Sequence, residues 1–386
     1  MSDAAVPNDP QQRLQQLREA IDETDNALLQ LLQRRRQLAA EVGTVKRSLG
    51  QPLYVPEREV KLIAARRSEA EAIGLSPDLI EDVLRRVIRE SYQQQQAADV
   101  HLEDKTIVVV GGYGALGGLF AERFREAGAH VHCIGEGEQD QLAAVCANAD
   151  LVLVSVPIAV TEAVIETLPQ LPEHCILADV TSIKAKPLQA MLKQHQGPVV
   201  GLHPMFGPQV ATLAKQLIVV TEGRDAPAYQ WLLDTLIRWG AQLYQTSAER
   251  HDEAMGFIQV MRHLSTFVYG AHLASEKADL QELLDLSSPI YRLELMMVGR
   301  LFAQNADLYA DIILAHPENF AMMRRYLESF TQVLGQLEQG DKSGFVEKFA
   351  EISDYFGEFS QKFLEDSQRL LASAGDAHQL SQVAGR

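Results

Sequence analysis

Cysteine is scarce in this chain of 386 residues, and its three copies (Cys133, Cys146 and Cys175) stand far apart with no CxxC pair. That spacing argues against a disulfide framework and against a structural metal site, and it implies a reducing compartment, the cytoplasm. Positive charge is also short. Thirty-five Lys and Arg face 52 Asp and Glu, a formal net charge of −17. A chain this acidic has no general affinity for nucleic acid or anionic membranes, so an anionic ligand must be met by a local cluster of cations. Long apolar runs are missing as well. None approaches the ~20 residues that span a bilayer, and the opening MSDAAVPNDP has neither the basic start nor the apolar stretch of a signal peptide. The hydrophobic content of 46% still supplies real cores, in a chain long enough for two or three domains.

Strand patterns are absent from the first ninety-odd residues, where positive and negative side chains nearly balance. Leu14, Leu17, Ile21, Leu28, Leu31, Leu38, Val42 and Val45 recur at helical spacing, which predicts a helix from about Pro10 to Leu49. Pro52 and Pro56 interrupt it. A second helix is expected over Glu57–Ile73, closed by Gly74, and a third starts at Ser76-Pro77-Asp78 and runs to about Gln95. A first helix of this length exceeds what two short partners cover, so a second copy of the chain is expected against it, making a homodimer; a hinge within the helix is the other reading. Arg35, Leu38, Ala39, Val42 and Lys46 fall on one face, and Leu84, Ile88, Ser91 and Gln95 form a stripe on the third helix. Cations on a core-facing stripe are costly unless paired, and Arg58 and Glu59 are close enough in sequence to take part. From spacing alone two readings stand: an anion site, or a dimerisation hairpin whose basic side chains reach out to water.

After the polar connector Gln93–Asp104 the pattern changes. Apolar runs at Ile107–Val110, His130–Ile134, Leu151–Val156, Ile176–Val180, Val199–His203, Leu217–Val220 and Gln242–Gln245 alternate early on with helical stretches, which predicts a mostly parallel sheet. Gly112, Gly114 and Gly117 fit GxGxxG between the first strand and a helix, with Tyr113, Ala115 and Leu116 in the same turn. This is a dinucleotide fingerprint that places pyrophosphate at a helix N-terminus. Glu136 is the candidate ribose acid, although Gly135 takes the place directly after the strand; with no arginine nearby in sequence for a 2′-phosphate, NAD is expected over NADP. Ser155 and Pro157, after the third strand, are further cofactor candidates. His203, in GLHPMFGP at a strand's carboxyl end, can accept a hydroxyl proton, and Ser182 and Lys184 are expected to face the same crevice. From Glu249 onward amphipathic helices take over. Arg292 and Arg300, eight residues apart, lie about 80° apart around one helix and suit carboxylate recognition.

The motifs GLHPMFGP, SSPIYRLELMMVGRLFAQ and LYADII resemble those of prephenate dehydrogenases in the form fused to a mutase, and the likeness spans Thr106–Leu371. It implies that His203 accepts the proton of prephenate's ring hydroxyl, that Ser182 helps orient that hydroxyl, and that Arg300 holds a carboxylate. It also implies that His195 sits by the nicotinamide, that Lys184, Arg292, His251 and His263 support the pocket, and that tyrosine inhibits by feedback. The segment Leu14–Gln95 is similar to the all-helical chorismate mutases. By that likeness Arg18 of a partner chain, Arg35 and Ser91 hold the carboxylates of chorismate, Lys46 and Gln95 reach its ether oxygen, Glu59 its hydroxyl, and Arg58 completes a cationic wall. Val55 departs from the aspartate of some relatives, where its main-chain N–H still donates. The expected organisation is a helical mutase domain (1–98), an α/β Rossmann-type domain (104–248), an all-α dimerisation domain (249–375) and a disordered tail (376–386). Two other readings, a β-hydroxyacid dehydrogenase-like reductase with a helical hairpin and a non-catalytic ligand sensor, leave Lys46 with Gln95, or His203 with Arg300, without a purpose.

Overall fold

The computed structural model describes residues 9–49, 54–94, 100–315 and 317–384. The chain forms two compact units, one reaching to Val156 and resuming at Thr161–Ala248, the other comprising Pro157–Val160 and the chain from Glu249.

The first unit opens with α1 (Pro10–Ser48), α2 (Pro56–Ala72) and α3 (Pro77–Gln94). Proline begins all three, where its missing N–H costs nothing. Only part of α1 is covered. Leu17, Ile21 and Leu31 are 46%, 58% and 64% exposed, so the apolar stripe of its first half faces open space. Strands β1 (Thr106–Val110), β2 (His130–Ile134), β3 (Leu151–Val154), β4 (Ile176–Asp179), β5 (Val199–Pro204), β6 (Leu217–Arg224) and β7 (Gln242–Thr246) follow, with α4 (Ala115–Glu126), α5 (Leu142–Cys146), α6 (Thr161–Glu166), α7 (Ala185–Gln194) and α8 (Ala226–Arg238) between them. The sheet order is β2-β1-β3-β4-β5-β6-β7, parallel throughout except for the antiparallel pair β5–β6. Alternation along β1 sends Ile107 and Val109 into a core with Phe120, Phe124 and Trp239, and Val108 and Val110 into a second core with Cys146, Leu188 and Met191. Both faces are therefore covered, which is why the strands read as unbroken apolar runs.

The second unit is helical: α9 (Ala248–Met255), a π-helical turn Gly256–Met261, α10 (Arg262–Ser275), α11 (Leu280–Asp285), α12 (Pro289–Phe302), α13 (Ala306–Leu314), α14 (Asn319–Glu338), α15 (Lys342–Phe356) and α16 (Glu358–Ala384). Asp279, Ser288, Asn305 and Asp341 cap four of these with side-chain oxygens. The expected disordered tail is a correction: α16 continues to Ala384, through residues rich in good helix formers and free of proline. Large apolar side chains stay exposed along α14–α16, among them Leu327, Phe330, Phe349 and Phe363. Among the described residues no helix is long and apolar enough to cross a membrane.

Candidate active sites

A cavity of about 280 Å³ opens among the first three helices, lined from α1 by Arg35, Leu38, Ala39, Val42 and Lys46. Arg58, Glu59 and Leu62 of α2 and Ile88, Ser91 and Tyr92 of α3 complete it, with Val55. Helical spacing brings each set to one side, so five of the expected mutase residues meet in one place. Arg35 donates from Nη1 to Ser91 Oγ at 3.1 Å, while the Ser91 hydroxyl donates to Val87 C=O at 2.8 Å. Burial lowers the pKa of the Lys46 ammonium, and the neighbouring Arg58 lowers it further. Burial also lowers that of Arg35. Three cations gather around this half-enclosed space, where Lys46 and Arg35 lose hydration and an anion would offset the cost. Glu59 is the acid among them. Its side chain is 7% exposed, with Lys215 Nζ 2.5 Å from Oε1 and Tyr92 Oη 3.5 Å from Oε2. Arg18 is exposed on α1 and lines none of this cavity. Gln95 lies outside the described residues.

The glycine-rich turn sits where β1 gives way to α4. Gly111 takes φ +86, so the tight turn falls one residue before the fingerprint's first glycine. A Cβ on Gly112 would stand 2.6 Å from Cys133 Sγ, and one on Gly117 would stand 2.3 Å from Gly111 O. The cradle is thus built for bare backbone. Gly114 is the N-cap of α4, while Tyr113 and Ala115 are exposed around it and Leu116 is half-buried. Ser155 continues β3 at the same edge, its N–H donating to Val110 C=O at 2.7 Å, and Pro157 begins the short Pro157–Val160 segment grouped with the helical unit. Glu136 is exposed beyond β2. It is Glu138 that turns back, accepting the Gly135 N–H at 2.8 Å, a role that the sequence reading missed.

His203 lies near the carboxyl end of β5, buried, opposite Val219 of β6. Ser182, just past β4, is half-exposed at that edge. Two expectations need correction. Lys184 does not face a crevice: it is fully buried, bonded to Asp179 Oδ2 at 2.5 Å and Leu202 C=O at 2.6 Å beneath the strand ends. The Thr181 hydroxyl joins the same carboxylate. His195 is at the opposite edge of the sheet from the glycine turn. Helix α7 runs antiparallel to the strands, so its end returns to their amino termini, where His195 Nε2 lies 2.6 Å from the C=O of Cys175, the residue before β4. Burial lowers its pKa and favours the neutral ring.

In the helical unit His263 is buried against Tyr309, ring centres 4.7 Å apart, and burial with the adjacent Arg262 lowers its pKa to about 4. His251 is buried with Nδ1 2.7 Å from Asp252 Oδ1. Arg292 donates from Nη2 to Leu284 C=O at 3.3 Å, and its Nε is buried without a hydrogen-bond partner among the described residues. Arg300, in the last turn of α12, is exposed.

Three family models match in the order of these elements: chorismate mutase type II over residues 17–96, the prephenate dehydrogenase nucleotide-binding domain over 121–244, and its dimerization domain over 247–351. The T-protein of Enterobacter agglomerans is 50% identical to this chain, across 94% of it and 98% of the relative. The chain belongs to the T-protein family. The T-protein of Haemophilus influenzae is 47% identical, across 95% of this chain and 98% of its own. A solved prephenate dehydrogenase from A. aeolicus, in complex with hydroxyphenyl propionate and NAD+, shares the fold at 18% identity, with a TM-score of 0.54 over 65% of this chain and 96% of that one. As in the rest of the family, one chain carries a chorismate mutase and an NAD-dependent prephenate dehydrogenase, two enzymes of tyrosine synthesis. The reductase and sensor readings fall with that membership.

Proposed function

We propose that the cavity among α1, α2 and α3 is the mutase site, and the observation that carries this is the convergence there of Arg35, Lys46, Arg58, Glu59 and Ser91. Chorismate carries two carboxylates. Arg35, fixed by Ser91, takes one, and Arg18 of the partner subunit takes the other. Lys46, with Gln95, meets the ether oxygen, Glu59 accepts the ring hydroxyl, and Arg58 adds positive charge. The Claisen rearrangement is unimolecular and needs neither a nucleophile nor a proton relay. Holding the compact conformer and stabilising negative charge as the ether bond breaks are enough.

For the dehydrogenase, the glycine turn fits a dinucleotide: Gly112, Gly114 and Gly117 admit the pyrophosphate at the N-terminus of α4, with Tyr113, Ala115, Leu116, Ser155, Pro157 and Glu136 as further contacts. Bound there, NAD supplies the hydride acceptor. His203 takes the proton of prephenate's ring hydroxyl at the carboxyl edge of the sheet, and Ser182 orients that hydroxyl. Arg300 pairs with a substrate carboxylate. Lys184, His251, His263 and Arg292 are supports, the first through its buried pair with Asp179. As the alcohol becomes a ketone the ring loses its carboxylate as CO₂ and becomes aromatic.

The purified chain, given chorismate and NAD, should consume chorismate with NADH appearing behind it. Chorismate loss without NADH, even with prephenate supplied, would end the dehydrogenase assignment. Tyrosine is proposed as a feedback inhibitor, supported by the family likeness alone; NADH formation from prephenate that ignores added tyrosine would remove it. A homodimer is supported by the uncovered stripe of α1 and by the dimerization-domain match.

A further inference from the structure

One side chain of the sheet domain reaches the mutase cavity's acid, and nothing assigned so far uses it. Lys215 sits in the turn before β6 with φ +66, a left-handed conformation disfavoured for any residue with a Cβ. Such outliers persist where the surroundings hold them, and here they do. The Lys215 N–H donates to Gly240 C=O at 2.9 Å, and Gly240 packs so tightly that a Cβ on it would stand 2.8 Å from Ala214 Cα. From this turn the ammonium reaches Glu59 Oε1 at 2.5 Å and lies 5.4 Å from the Tyr54 ring centre and 5.8 Å from that of Tyr92. The two rings meet edge to face, 5.8 Å apart. Three side chains of the mutase helices and their connector therefore meet one cation from the neighbouring domain.

Burying a carboxylate as deeply as Glu59 is costly without a close cationic partner. Arg85 is farther off, 3.8 Å from Oε1, and is engaged by Glu81 at 2.7 Å. Lys215 occupies Oε1, which leaves Oε2, the oxygen next to Tyr92, for a ligand; Glu59 and Tyr92 both line the cavity. We propose that Lys215 is a positioning residue of the mutase, fixing the Glu59 carboxylate so that Oε2 receives the substrate hydroxyl. The mutase thus depends on a lysine of the dehydrogenase's nucleotide-binding domain. The inference rests on the assignment of Glu59 to the chorismate hydroxyl.

The test uses the full chain as Lys215→Met, Lys215→Arg, Glu59→Gln and the Lys215→Met/Glu59→Gln double variant, with chorismate kinetics for each and NADH formation from supplied prephenate as the folding check. Lys215→Met should lower mutase kcat/KM about tenfold or more, as loss of a charge-assisted bond does, with Lys215→Arg restoring most of it. In the Glu59→Gln background Lys215→Met should add less than about twofold, since the two act as one unit. Wild-type mutase kinetics in Lys215→Met would overturn the proposal, and so would an equal loss in the Glu59→Gln background, which marks a mere docking contact. Unchanged kinetics in Glu59→Gln alone would instead remove the Glu59 assignment, and the proposal with it.

Discussion

Replacing Lys46 with alanine removes an ammonium from the cavity wall while leaving Arg35, Arg58 and Ser91 in place. The size of the effect follows from where that ammonium sits. A full negative charge about 3 Å away, at an effective dielectric of about 20, interacts with it by about 5.5 kcal/mol. If roughly half a charge develops on the ether oxygen at the transition state, about 3 kcal/mol is lost, a fall of roughly 100-fold in mutase kcat. Loss of one preorganised donor at an oxyanion costs a similar amount, roughly 100- to 1,000-fold. The ground state carries little charge on that oxygen, so kcat should fall more than KM rises. The assay is chorismate consumption by the purified variant, beside NADH formation from supplied prephenate, which should stay near wild type because Lys46 lies outside the sheet and the helical unit. A loss of less than about tenfold would refute the charge-stabilisation argument. Equal loss of both activities would mean unfolding or shared machinery. The lowered pKa of Lys46 adds a direction: mutase activity should decline with rising pH sooner than an ordinary lysine would dictate, as the ammonium loses its proton.

Gly117→Ala places a methyl 2.3 Å from Gly111 O, so NAD binding measured by fluorescence titration should weaken strongly while chorismate turnover persists; wild-type affinity would mean the turn is not the cradle. His263 favours the neutral ring, with its pKa lowered from 6.5 to about 4. The unfolded chain therefore takes up protons first as pH falls from about 6.5 to about 4, and stability drops across that window by about 3 kcal/mol at most. Thermal melts of His263→Gln should show a shallower pH dependence there, and identical slopes would exclude His263 as the source. Leu17→Asp with Ile21→Asp on the uncovered stripe of α1 should yield smaller particles in sedimentation and abolish mutase turnover, because Arg18 would no longer be delivered; an intact dimer with normal turnover would count against both.

Local pattern alone determined most of the architecture. The three mutase helices follow from apolar spacing and from proline at helix starts, and the seven strands from short, mostly apolar runs, because these signals act over a few residues and survive any tertiary arrangement. The cationic stripe of Arg35 and Lys46 was legible for the same reason, and so was the glycine turn. Tyr92 also shares the face of Ile88 and Ser91, and a stricter reading of that stripe would have found it. Other features were decided only when the chain closed on itself. The direction of α7 took His195 to the far edge of the sheet, and Lys184 turned inward because Asp179, five residues earlier on the end of β4, is buried beneath it. Glu59 and Lys215 are 156 residues apart, and no local rule couples them. Their pairing exists because a tight turn closed by Gly240 carries a lysine to a carboxylate that burial leaves in need of a charge, and only the tertiary structure brings the two together.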